Sequence, residues 1–175
     1  MTRKPETNWI QGDGGPAVVL QATIGAVWQG ATNFDNCLMN GGCIETDYDV
    51  ICKCSDGVTA IDRYGRTMLI LSDSEWATRF MPTKKGSAVL LQWFGSNSEP
   101  EAPVDRLVAS PPAQSLPFKM VDNALRLLVG ADDGHGGLYG FVEVEMPPGD
   151  KICEVYYSQE AQVIVIRPAE VAAIA

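Results

Sequence analysis

The chain has 175 residues, of which 46% are hydrophobic and 20% charged, enough for one globular domain with its own core. Its net charge of −9 repels nucleic-acid phosphates and anionic membrane surfaces, and favours a basic protein as any macromolecular partner. No stretch approaches the roughly 18 apolar residues of a membrane span, the polar start leads into no apolar signal region, and five cysteines make no disulfide framework; the expectation is a cytoplasmic protein with no nucleic-acid or membrane partner and no cofactor.

In chain order, Trp9-Ile10 reads as a short strand and Ala17 to Gln21 as a second. The Gly12-Asp13-Gly14-Gly15-Pro16 turn between them predicts that the two pair. Thr32 to Gly42 is irregular. From Cys43 to Cys54 the residues alternate. As a strand, this segment would set Glu45, Asp47 and Asp49 on one face and Ile44, Tyr48 and Val50 on the other. Ser55-Asp56-Gly57 is a turn signal. Val58 to Asp62 and Thr67 to Leu71 follow as strands, interrupted at Tyr64-Gly65. Asp73-Ser74-Glu75 suits the start of a short helix through Phe80, because Asp caps well and Glu complements the first turn. Ala88 to Phe94 is a central-strand candidate. The 96–114 tract, with Pro100, Pro103, Pro111 and Pro112, reads as a surface excursion or as the divide between two lobes. Leu116 to Gly130 holds a helix or a strand, and Asp132 to Gly137 is a glycine-rich loop.

The run from Leu138 to Arg167 carries the clearest signal: strands at Phe141–Met146, Ile152–Tyr157 and Gln162–Arg167, forming a C-terminal meander. Pro147-Pro148-Gly149-Asp150 breaks the first from the second. The fold class predicted is mainly β (α+β), with antiparallel sheets and little helix. A turn at Pro147 to Asp150 sets Met146 opposite Lys151 and Glu143 opposite Glu154. Phe141, Glu143 and Glu145 then share a face with Ile152, Glu154 and Tyr156. Like charges opposed across a ladder destabilise it, so either the register differs, or that face is shaped for a basic partner or neutralised by a cation from another strand.

The catalytic signals are weak. Three carboxylates on one strand face could hold Mg²⁺ or Ca²⁺ through oxygen ligands, but acidic side chains mostly remain solvated. Cys37, Cys43, Cys52 and Cys54 lack the C-x2–4-C spacing of structural zinc sites, and buried free thiols account for them better. His135, in its loop with Asp132 and Asp133, has no nucleophile within a recognisable motif. No nucleotide-binding fingerprint exists. The tryptophans, Trp9, Trp28, Trp76 and Trp93, suit core anchors, with an interface role as the alternative.

Several residues, taken in order, resemble the immunity protein 21 family of bacterial polymorphic toxin systems: Trp9-Ile10, Gly14-Gly15-Pro16 with Val18-Val19-Leu20, Trp28-x-Gly30, Asp47-Tyr48 before Cys52, Met68 to Leu71, Asp73 or Glu75 before Thr78, Gln92-Trp93, Pro148-Gly149 with Tyr156, and Val165-Ile166-Arg167. The departures are Gln92, where a basic residue is expected, and the 96–114 tract, which has no matching motif. The resemblance implies an intracellular antitoxin that binds a cognate toxin and blocks it, without catalytic residues. It makes the GGP and Trp positions fold determinants. Charge placement makes Glu143, Glu145, Glu154 and Tyr156, then Glu45, Asp47 and Asp49, the candidate contacts. A basic toxin, such as a nuclease, would be favoured electrostatically. The alternative is a metal- or small-ligand-binding domain or enzyme using the acidic strand row and the loop around His135.

Overall fold

The structure is a computed structural model that describes residues 9–10, 15–31, 45–54, 57–72, 77–81, 83, 86–93, 104–134, 140–159 and 161–169. Among the described residues there are eleven strands: β1 (Trp9–Ile10), β2 (Ala17–Gln21), β3 (Val58–Arg63), β4 (Arg66–Leu71), β5 (Ala77–Met81), β6 (Ala88–Trp93), β7 (Gln114–Met120), β8 (Ala124–Val129), β9 (Phe141–Glu145), β10 (Gly149–Tyr157) and β11 (Ala161–Pro168). Two short helices accompany them, α1 (Asp47–Ile51) and α2 (Val104–Leu107), with a 3-10 turn at Ile24–Ala26. The strands build a six-stranded sheet, ordered β1-β5-β6-β11-β10-β7, and a five-stranded sheet, ordered β3-β4-β2-β8-β9. Every pairing is antiparallel, as the mainly β reading requires.

The two sheets pack face to face as a sandwich. Leu90, Phe118, Cys153 and Ile164 of the larger sheet share one core with Val19, Leu69, Leu125 and Leu127 of the smaller. Each such side chain contributes about 2 kcal/mol on burial. The outer face of the smaller sheet is also covered: Ile24, Trp28 and Ile51 pack on Val18, Met68, Ile70 and Leu128. On the outer face of the larger sheet, Val104, Leu107 and Val108 around α2 meet Leu91, Tyr156 and Val163. Each sheet takes strands from before and after the 96–114 tract, with β6 meeting β11 in the larger sheet and β2 meeting β8 in the smaller. Residues 104–107 of that tract are α2, while 94–103 lie outside the described residues.

Four sequence expectations are corrected. β1 pairs with β5, with Ile10 opposite Thr78, and not with β2. The reason is burial: every residue of β2 is buried, so it needs two long neighbours and finds them in β4 and β8. The helix expected through Phe80 is instead strand β5 over its described part, with Thr78 and Phe80 buried in alternation; residues 73–76 lie outside the described residues. The segment expected as a strand around Glu45 to Val50 holds helix α1.

The fourth correction concerns the C-terminal meander. β10 and β11 do form a hairpin, Lys151 opposite Pro168 and Tyr157 opposite Gln162. β9, however, belongs to the other sheet and pairs with β8. Pro147-Pro148 therefore crosses from one sheet to the other, with Met146 buried in the shared core. Two prolines hold the chain extended and offer no ladder donors, which suits a crossover. The register changes with it: Glu143 stands opposite Arg126, and Glu154 opposite Val165 and Ser115.

Candidate partner surface

The three carboxylates expected in a row on a strand are separated by the helix. Thr46 caps α1, its hydroxyl accepting from the Asp49 amide at 3.2 Å while the Asp49 carboxylate accepts from the Thr46 amide at 2.8 Å. This capping box satisfies two orphan donors. The backbone bond from Thr46, then its side-chain bond, holds the Asp49 carboxyl below the usual carboxylate range. Asp47 points the other way and is fully buried. It accepts from the Gln29 amide at 2.8 Å and the Tyr64 hydroxyl at 2.9 Å, and pairs with Arg63. Tyr64 reaches it from a left-handed backbone, φ 53°. Glu45 is exposed and paired with Lys53.

No cation site is built from this row. Among the described residues no group of three or more His, Cys, Asp or Glu side chains is gathered for a metal. His135, Cys37, Cys43 and Trp76 lie outside the described residues. Of the cysteines expected to be buried, Cys52 is exposed and Cys54 half-buried. Cys153 is fully buried, and burial pushes its thiol up to about 12.

The C-terminal acidic candidates also divide. On β10, Glu154 and Tyr156 turn to the outer face of the larger sheet, and both are buried. Arg167 donates to both Glu154 oxygens at 2.9 and 2.8 Å, and the Tyr156 hydroxyl donates to Glu154 at 3.2 Å. On β9, Val142 and Val144 face the shared core, which turns Glu143 and Glu145 to the outer face of the smaller sheet, where both are exposed. Arg126 donates to Glu143 at 2.6 Å, stacks over Phe141 at 4.5 Å and donates to the Gly134 carbonyl at 3.3 Å. The two pairs of candidates are thus on opposite outer faces of the sandwich. Arg126 and Arg167 are the neutralising cations, invisible without the strand pairing. Glu45 and Asp49 flank α1 on the same side as Glu143 and Glu145, since Ile51 of α1 packs on the outer face of the smaller sheet.

Several of the residues that carried the family resemblance meet at the end of β8. The Gly130 amide donates to the Pro16 carbonyl at 2.8 Å, and the Trp28 indole donates to the Gly130 carbonyl at 3.1 Å. Gly15 has φ 89°, and a Cβ there would overlap the Tyr48 hydroxyl. A Cβ on Gly30 would stand 2.3 Å from the Ala131 carbonyl oxygen. These positions shape the fold. Gln92 is also structural: buried, it accepts from the Gln162 amide at 3.0 Å.

The family model described as immunity protein 21 matches residues 8–115, more than half of the chain. No curated protein and no solved structure matches the chain.

Proposed function

The chain belongs to the immunity protein 21 family, and from that premise we propose that it binds a cognate toxin and neutralises it by covering the toxin's working surface. The family match is the observation that carries this reading. The protein acts by binding, without catalysing a reaction, and does so in the cytoplasm. The partner is basic, a nuclease being one such toxin. Net charge −9 supports this, because an acidic surface raises the encounter rate with a basic protein.

The contact surface lies on the side of the five-stranded sheet, with Glu143 and Glu145 at its centre and Glu45 and Asp49 at its rim. Glu154, Tyr156 and Asp47 are buried in internal networks and serve the fold. Co-expression with the toxin encoded by the neighbouring gene tests the function: cells making both should survive, and cells making the toxin alone should not. Death of the cells making both overturns the reading. The electrostatic part has its own test. Association should slow about ten-fold from low salt to 0.5 M, and a rate indifferent to salt removes that part.

A further inference from the structure

A sheet's outermost strand presents unpaired amides and carbonyls along its free side. Which residues present them follows from the ladder. The Ala22 amide donates to the Ala124 carbonyl and the Gly130 amide to the Pro16 carbonyl, so even-numbered residues of β8 face β2. Odd-numbered ones face β9, and the Met146 amide on the Asn123 carbonyl agrees. With Leu125 opposite Val144 and Leu127 opposite Val142, the backbones of Val142, Val144 and Met146 are engaged with β8. Those of Phe141, Glu143 and Glu145 point away from the sheet. β1 of the other sheet passes near this corner, yet among the described residues no backbone hydrogen bond joins it to β9.

β7 shows what a closed edge looks like in the same molecule. Its outward positions are Ser115, Pro117 and Lys119. Pro117 has no donor to offer, and Lys119 is engaged on both sides, its carbonyl by Gln21 at 2.8 Å and its amide by Thr67 at 3.4 Å. β9 carries neither device. Instead, both of its glutamates stand at ladder positions that no backbone group among the described residues pairs with.

We propose that β9 is the site at which the partner adds a strand, an extended basic segment with Lys or Arg at alternate positions. The segment extends the five-stranded sheet by pairing with the outward groups of Phe141, Glu143 and Glu145, while its cations meet the two carboxylates. Main-chain bonds give such pairing its affinity, and alternate side chains give it specificity. A second copy of this chain is disfavoured there, because antiparallel pairing centred on Glu143 sets glutamate opposite glutamate. This inference rests on the immunity reading and names the surface it uses.

The test uses the full chain and a synthetic peptide alternating Lys and Val, with a Glu–Val peptide as the control. Amide exchange at Phe141, Glu143 and Glu145 should slow about ten-fold or more with the basic peptide, and not with the acidic one. Binding of the basic peptide without that protection overturns the proposal. Among variants, E145P removes an outward amide without touching the β8 ladder, and E145Q removes an outward charge while leaving the Arg126–Glu143 pair in place. Both should weaken toxin protection in cells at an unchanged unfolding midpoint. If both protect cells as the wild type does, the edge is wrong and the immunity reading stands. If the wild type itself gives no protection, the reading beneath it fails too.

Discussion

Two acidic side chains show how burial and pairing decide what a carboxylate does. Asp47 is a hub: one buried carboxylate holds the Gln29 amide, Tyr64 and Arg63. Asp47→Asn keeps the shape but removes the counter-charge of Arg63, and should cost about 2 kcal/mol in urea unfolding. An unchanged midpoint would show the hub to be dispensable. Glu154 gives a pH signature. The hydrogen bonds from Arg167, then its charge, and finally the Tyr156 hydroxyl lower its carboxyl against the opposing effect of burial. A folded value below the unfolded one adds stability that is present above the ordinary carboxylate range and is lost as pH falls through the folded value. Acidification from pH 7 to 3 should therefore destabilise Glu154→Gln less than the wild type, read from urea midpoints at each pH. Equal losses would contradict the pairing.

At the scale of elements, the strands were legible because alternation and β-branched runs mark them, as in β4, β6 and β10. Their partners were not, because pairing is decided by which strand needs two buried neighbours, a property of the assembled molecule. Two elements differ in type from their sequence reading, β5 and α1, and α1 is the instructive one. Asp47, Asp49 and the intervening apolar residues alternate as a strand does, yet Thr46 and Asp49 stand three apart, the spacing of a capping box, and that signal was present in the chain. For the candidate surface, Glu143 and Glu145 could be singled out from charge alone. The burial of Glu154 and Tyr156 could not, since it depends on Arg167 and on the crossover at Pro147-Pro148. The glycines are legible only in part: Gly30 was marked by its motif, but its contact with Ala131 joins segments a hundred residues apart. Gly30→Ala should cost about 3 kcal/mol through backbone overlap, measured by thermal unfolding, whereas an alanine at Gly65, which faces open space at φ 70°, should cost about 1 kcal/mol from backbone strain alone. Equal costs would rule out the overlap.

Across the whole molecule, both sheets take strands from either side of the 96–114 tract, so neither part of the chain has a finished core without the other. Unfolding followed by tryptophan fluorescence and by far-UV circular dichroism should give one coincident transition; two separated transitions would divide the chain into lobes. The seam between the two parts of the chain also sets a schedule for synthesis. β11 lies between β6 and β10, so β6 waits for one of its neighbours while 67 residues, 94–160, are translated. At typical elongation rates that wait is roughly 3–13 s. During it, the apolar row of β6 on that sheet's inner face, Ala88 and Leu90, lacks the neighbour that completes its layer. Changes that slow the docking of β11 should thus lower the yield of soluble protein from cells, while the molecules that do fold keep their affinity.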